Sequence, residues 1–60
     1  MKRITYKMCD ELATSLNLIF EKVGRRGYEV TDNSQGVTDV CKNLTEAYEV
    51  LWNYKVNNDQ

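Results

Sequence analysis

The apolar positions between residues 8 and 23 recur at helical spacing. At about 100° per residue, Met8, Leu12, Leu16, Ile19 and Val23 fall on one narrow stripe flanked by Cys9, Ala13 and Phe20, while Asp10, Glu11, Asn17, Glu21 and Lys22 lie elsewhere. The pattern predicts an amphipathic first helix with a broad buried face, and it places Leu18 opposite the stripe as a lone exposed leucine. Residues 1–7 alternate as a short strand would, yet Ile4 stands four positions before Met8. A helix from about Thr5 therefore fits better, with Thr5 as its cap and Asp10 and Glu11 near the positive end of its dipole. At the other end Gly24 and Gly27 bracket Arg25 and Arg26. A glycine can take the left-handed capping conformation there, with basic side chains beside the negative helix end.

After Gly27 the period changes. Tyr28-Glu29-Val30-Thr31 places aromatic and β-branched residues as a strand would, and Asp32-Asn33-Ser34-Gln35-Gly36 concentrates residues that favour a reversal. Residues 37–41 have the β-branched content of a returning strand, although Asp39 falls on the same face as Val37 and Cys41. Asn43 then stands as an N-cap with Glu46 three positions on, which signals a second helix starting at Leu44. Its core stripe is Leu44, Ala47, Tyr48 and Leu51, and Asn53, Asn57, Asn58, Asp59 and Gln60 mark its fraying end.

The expected fold class is therefore α+β: a small single domain over residues 1–60 with no linker, helix–β-hairpin–helix (α-β-β-α), with both helices covering one face of the hairpin. The expected core is Met8, Leu12, Leu16, Ile19, Phe20, Val23, Val30, Val40, Leu44, Ala47, Tyr48 and Leu51. An all-α helical hairpin competes, because Val37, Val40, Cys41, Leu44, Ala47, Tyr48 and Leu51 also keep helical spacing without a break. The Asn43 cap and the β-branched density before it favour the strand.

Composition narrows the chemistry. A chain of sixty residues buries only roughly 60% of the surface its unfolded form exposes, so its stability is marginal without added burial. The two cysteines, Cys9 and Cys41, are not preceded by a leader-like apolar run. The expectation is a reduced, cytoplasmic chain in which both are small buried hydrophobes. No run approaches the ~18 apolar residues of a membrane span. Histidine is absent, which removes the commonest general base and metal ligand together. The cysteines have no paired zinc spacing, and Gly24, Gly27 and Gly36 form no phosphate loop. Asp10-Glu11, Glu46 and Glu49 read as solvated helix faces, and neither Ser15 nor Ser34 has an identifiable base. Asn43-Leu44-Thr45 matches a glycosylation acceptor but is more simply a helix cap. No enzyme, cofactor or metal is expected.

Charge is unevenly placed. The net charge is −1, yet residues 1–26 balance to +3 and residues 27–60 to −4, an asymmetry that either marks an interaction face or neutralises itself when the halves fold together. The second helix also carries an apolar arc of about 200°, with Trp52 on one flank and Tyr54 and Val50 on the other. These features lead to the expected function: a small protein-interaction module, a modulator or inhibitor of a larger host protein of the kind phages and mobile elements encode. Val50, Trp52 and Tyr54 would be its apolar contacts and Glu29, Asp32, Asp39, Glu46 and Glu49 its acidic face. A symmetric homodimer is expected as well, through an open strand edge and the spare helix flank. The alternative is a small nucleic-acid-binding regulator that uses Lys22, Arg25, Arg26 and Tyr28 as a basic and aromatic patch.

Overall fold

A computed structural model describes residues 3–25 and 27–58. Along the chain run α1 (Tyr6–Ser15), β1 (Ile19–Val23), β2 (Gly27–Asp32), β3 (Val37–Cys41) and α2 (Leu44–Asn58). The strands form an antiparallel sheet in the order β1-β2-β3. The α+β class, the two terminal helices and the hairpin of β2 and β3 are as the sequence predicts. Strand pairing over Val37–Cys41 rules out the all-α alternative.

The first helix is where the structure departs. It ends at Ser15, and the chain continues as β1, a strand where the periodicity predicts helix. The cause is a Schellman motif. Asn17 adopts φ 60°, and its N–H donates to Thr14 O at 3.1 Å while the Leu18 N–H donates to Ala13 O at 2.8 Å. Both bonds satisfy carbonyls that the helix end would otherwise leave unpaired. Leu18 and Ala13, the residues flanking the motif, are both buried. Asparagine tolerates the left-handed conformation better than most residues, and an apolar residue after it closes the cap. Gly24 does take positive φ, at 64°, but in the turn between β1 and β2 and not at a helix end.

This shift of element re-phases the core. Ile19 and Val23, placed in the core by helical spacing, point away from the helices and are 41% and 42% exposed, whereas Leu18 is buried. Val40 is likewise corrected. It lies on the outer face of β3 at 74% exposure, and Cys41 takes the inner position. Phe20, Val30, Ala47 and Leu51 are buried as expected, and both cysteines are free and buried. Leu12, Leu16, Leu44 and Tyr48 are only half-buried at the border of the core, and Met8 is half-buried too.

At the start of α1, Thr5 caps as predicted: its Oγ1 accepts from the Met8 N–H at 3.2 Å. The centre of α1 is the small pair Cys9 and Ala13, which lets it approach α2 closely enough for the Cys9 thiol to donate to Leu44 O at 3.6 Å. At the start of α2 Asn43 caps as predicted, while Glu46 reaches one residue further back than a capping box requires. Asn43 Oδ1 accepts from the Glu46 N–H at 2.9 Å, and Glu46 Oε1 reaches back to the Lys42 N–H at 3.1 Å. One orphan N–H of the helix is satisfied by the cap, and the second bond, made to the residue before the cap and not to the cap itself, fixes the chain entering the helix.

Both helices lie on one side of the sheet. The inward positions Phe20, Val30 and Cys41 join Cys9, Ala13, Ala47 and Leu51 in one cluster. Asp39 shares that inward face, which sequence alternation makes look imperfect. It is accommodated because Tyr54 Oη of α2 donates to its Oδ2 at 3.5 Å. Asp32 is buried at the turn, where its Oδ1 accepts from both the N–H and the hydroxyl of Ser34. The result is a two-layer slab with Cα extents of 31 × 28 × 14 Å.

Candidate interaction site

Helix α2 packs on the sheet along Ala47 and Leu51, so at about 100° per residue Trp52 and Tyr54 emerge on opposite flanks. The flank of Val50 and Tyr54 turns toward β3. Both residues pack against the core, and together with Asp39, Asn53 and Asn57 they line a small cleft of about 220 Å³. Burial raises the Tyr54 hydroxyl above its ordinary pKa, and the Asp39 and Asp32 carboxylates and the bond to Asp39 push it the same way. Tyr54 is thus a neutral donor that ties α2 to β3.

The other flank is built differently. Trp52 is 46% exposed although it is the only tryptophan, and Val56 beside it is 50% exposed. The indole has two neighbours on its own helix: the Tyr48 ring stacks on it at 6.2 Å with an interplanar angle of 21°, and Lys55 Nζ lies 4.8 Å from its centroid. A cation over an indole face is attracted by the ring quadrupole. Tyr48, Glu49, Trp52 and Asn53 line an open cleft of about 620 Å³. It offers an aromatic wall, one carboxylate and one amide.

The expected acidic face divides among three places. Glu49 stands at the Trp52 cleft, while Asp32, Asp39 and Glu46 are engaged by Ser34, Tyr54 and the Lys42 N–H. Glu29 lies on the far side of the sheet, directly opposite Glu21 of β1. Only Glu49 accompanies the exposed tryptophan.

The basic patch is also rearranged. Lys22 lies on β1 across from Tyr28, Arg25 lies in the β1–β2 turn, and Arg26 falls outside the described residues. None of the described pair ends a helix, so the helix dipole does not account for them. Tyr28 stacks on Phe20 at 5.5 Å and 7°, with Tyr6 at 6.3 Å, so one ring face is already occupied. A further cleft, of about 450 Å³, brings Arg3 and Lys42 together beside Tyr28 and the start of α2. Nothing local in the sequence links those two cations, because Arg3 precedes α1 and Lys42 precedes α2, and they share a cleft only in the packed fold, where the two helices meet.

Among the described residues no group of three or more His, Cys, Asp or Glu is placed to hold a metal ion, and no helix is long and apolar enough to cross a membrane. No family model, curated protein or solved structure matches the chain.

Proposed function

We propose that this chain is a non-enzymatic protein-interaction module whose principal contact is the Tyr48–Trp52–Val56 flank of α2. The observation that carries the reading is the state of Trp52, half exposed yet in contact with both the Tyr48 ring and the Lys55 ammonium. An aromatic side chain loses little conformational entropy on binding and brings large area with a polar tip, the character of an interface anchor. Glu49 beside it favours a partner surface with a basic group. The small size fits a modulator or inhibitor that covers part of a larger protein, the kind that phages and mobile elements encode, acting in the cytoplasm. Self-association belongs to the same proposal: β3 is a regular edge strand with exposed Val37 and Val40, which a second copy can extend across a two-fold axis.

The test is capture of a protein partner by the intact chain, followed by Trp52→Ala. Interface anchors of this type cost about 2 kcal/mol or more when truncated, a loss of roughly 30-fold in affinity. The fold should survive, because Trp52 lies outside the buried cluster. Undiminished capture by a folded Trp52→Ala variant overturns the reading. Recovery of nucleic acid alone, abolished by Lys22→Ala with Arg25→Ala, would overturn it in favour of the regulator alternative.

A further inference from the structure

The face of the sheet turned away from the helices has a composition of its own. Strand alternation and register place three rows on it: Ile19 with Thr31 and Thr38, Glu21 with Glu29 and Val40, and Val23 with Gly27. Ile19, Val23 and Val40 are 41%, 42% and 74% exposed, and no described helix packs over them. The Thr31 and Thr38 hydroxyls bond each other at 3.3 Å across the strands. The apolar positions therefore surround a pair of carboxylates set directly opposite one another. None of the strand positions on this face is Lys or Arg.

Like charges placed opposite each other across an antiparallel pair are destabilising, and strands favour opposite charges or β-branched neighbours at such positions. Glu21 and Glu29 thus form a site of standing repulsion that a cation from outside would relieve. The flanking Ile19, Val23 and Val40 require that the cation arrive on an apolar surface. A second copy laid face to face would gather four carboxylates at the centre, and a nucleic acid would be repelled by two. Three strands about 4.8 Å apart and about five residues long make a platform of roughly 14 by 17 Å. That is far below the ~800 Å² per partner of a standard interface. One helix, about 10 Å across, covers it.

We infer that the open sheet face docks a single amphipathic helix of a partner protein, with a Lys or Arg of that helix between Glu21 and Glu29 and its aliphatic neighbours on Ile19, Val23 and Val40. This surface is separate from the Trp52 flank and does not depend on it. It gives the molecule two contact faces, one on each side of the slab.

The probe is a synthetic Ala/Leu helical peptide with one central arginine flanked by leucines three and four positions away, titrated into the full isotope-labelled chain at low salt and followed by amide shifts. The expected shifts centre on Ile19, Glu21, Glu29, Thr31, Thr38 and Val40. Replacing the peptide arginine by glutamate, or the protein pair by Glu21→Gln with Glu29→Gln, should each weaken binding at least about tenfold. Trp52→Ala should leave it unchanged. The inference is overturned by shifts centred on Tyr48, Trp52 and Val56 or on Arg3 and Lys42. Unchanged affinity in the glutamine double variant, or no shift at about 1 mM peptide, overturns it too.

Discussion

Val30 and Val40 are the same residue type on neighbouring strands of one sheet, yet Val30 is fully buried and Val40 is 74% exposed. Val30 pairs with Phe20 and Asp39 beneath the two helices, and Val40 pairs with Glu29 on the bare side. The difference is chiefly one of phase, to which the central place of β2 and the edge place of β3 add. In a two-layer domain a side chain's burial is set by which way the strand's alternation points it, because only one face of the sheet has a cover. The covered face holds the fold together, and the bare one is left available for contact.

The sharpest way to test that division is to remove volume from each side. Leu51→Ala deletes a fully buried side chain of α2 from the covered side and should cost ~2–5 kcal/mol, enough to unfold much of a domain this small. Val40→Ala on the bare side should change stability by no more than about 0.5 kcal/mol. Denaturant unfolding followed by circular dichroism reads both. Similar losses at the two positions would abolish the distinction between the faces.

A smaller effect confined to the covered side is gated by pH. Burial raises the thiol of Cys9, with Cys41 adding to the rise, and burial likewise raises Cys41, helped by the carboxylates of Asp39 and Glu46. A raised folded-state pKa means that the native state keeps protons the unfolded state has released. The thiols' contribution is therefore fully present below the ordinary thiol value of 9.0 and is lost as pH rises through the raised folded values. Stability should fall above pH 9.0 in the wild type, and the fall should be shallower in a Cys9→Ala, Cys41→Ala variant compared by its own pH series. Parallel curves would show that the thiols do not titrate across unfolding.

The smallest expected effect is on the bare side and has the opposite sign. Glu21→Gln removes one member of the cross-strand carboxylate pair and should stabilise the free protein by about 0.2–1 kcal/mol. The gain should shrink with added salt, since the pair is open to solvent on at least the Glu21 side. A loss of stability would mean that Glu21 is held by a favourable contact.

Much of the second half was legible from local chemistry. The Asn43 cap with the Glu46 bond beside it, the 32–36 turn with Gly36 at φ 66°, and the Ala47 and Leu51 stripe are each dictated by residues within a few positions of one another. Residues 16–23 were not, because Leu16, Ile19, Phe20 and Val23 satisfy a helical period while Leu18 and Phe20 also satisfy a strand's. What decides between them is Asn17, whose left-handed conformation is worth little without tertiary support and gains it from burial of Leu18 beside Ala13. The contact residues were visible as an excess of aromatics on α2. Their grouping was not, because it depends on which flank meets β3, and Tyr54 is drawn there by Asp39.

The meander has a consequence for the order in which the chain can fold. Each strand pairs with its immediate successor through a short turn, and α2 follows β3 after only Lys42 and Asn43. Sheet and α2 therefore assemble at low loop-closure cost, the condition for rapid folding. Helix α1 has no such advantage in reaching α2, and its thiol bond to Leu44 closes a separation of 35 positions. A ten-residue helix is marginal by itself in water. It is therefore expected to consolidate on the surface that the β-meander and α2 provide and to open before them, which would carry Cys9 from the core into solvent. Amide exchange faster in α1 than in β2 and α2 would show this, and equal protection would refute it.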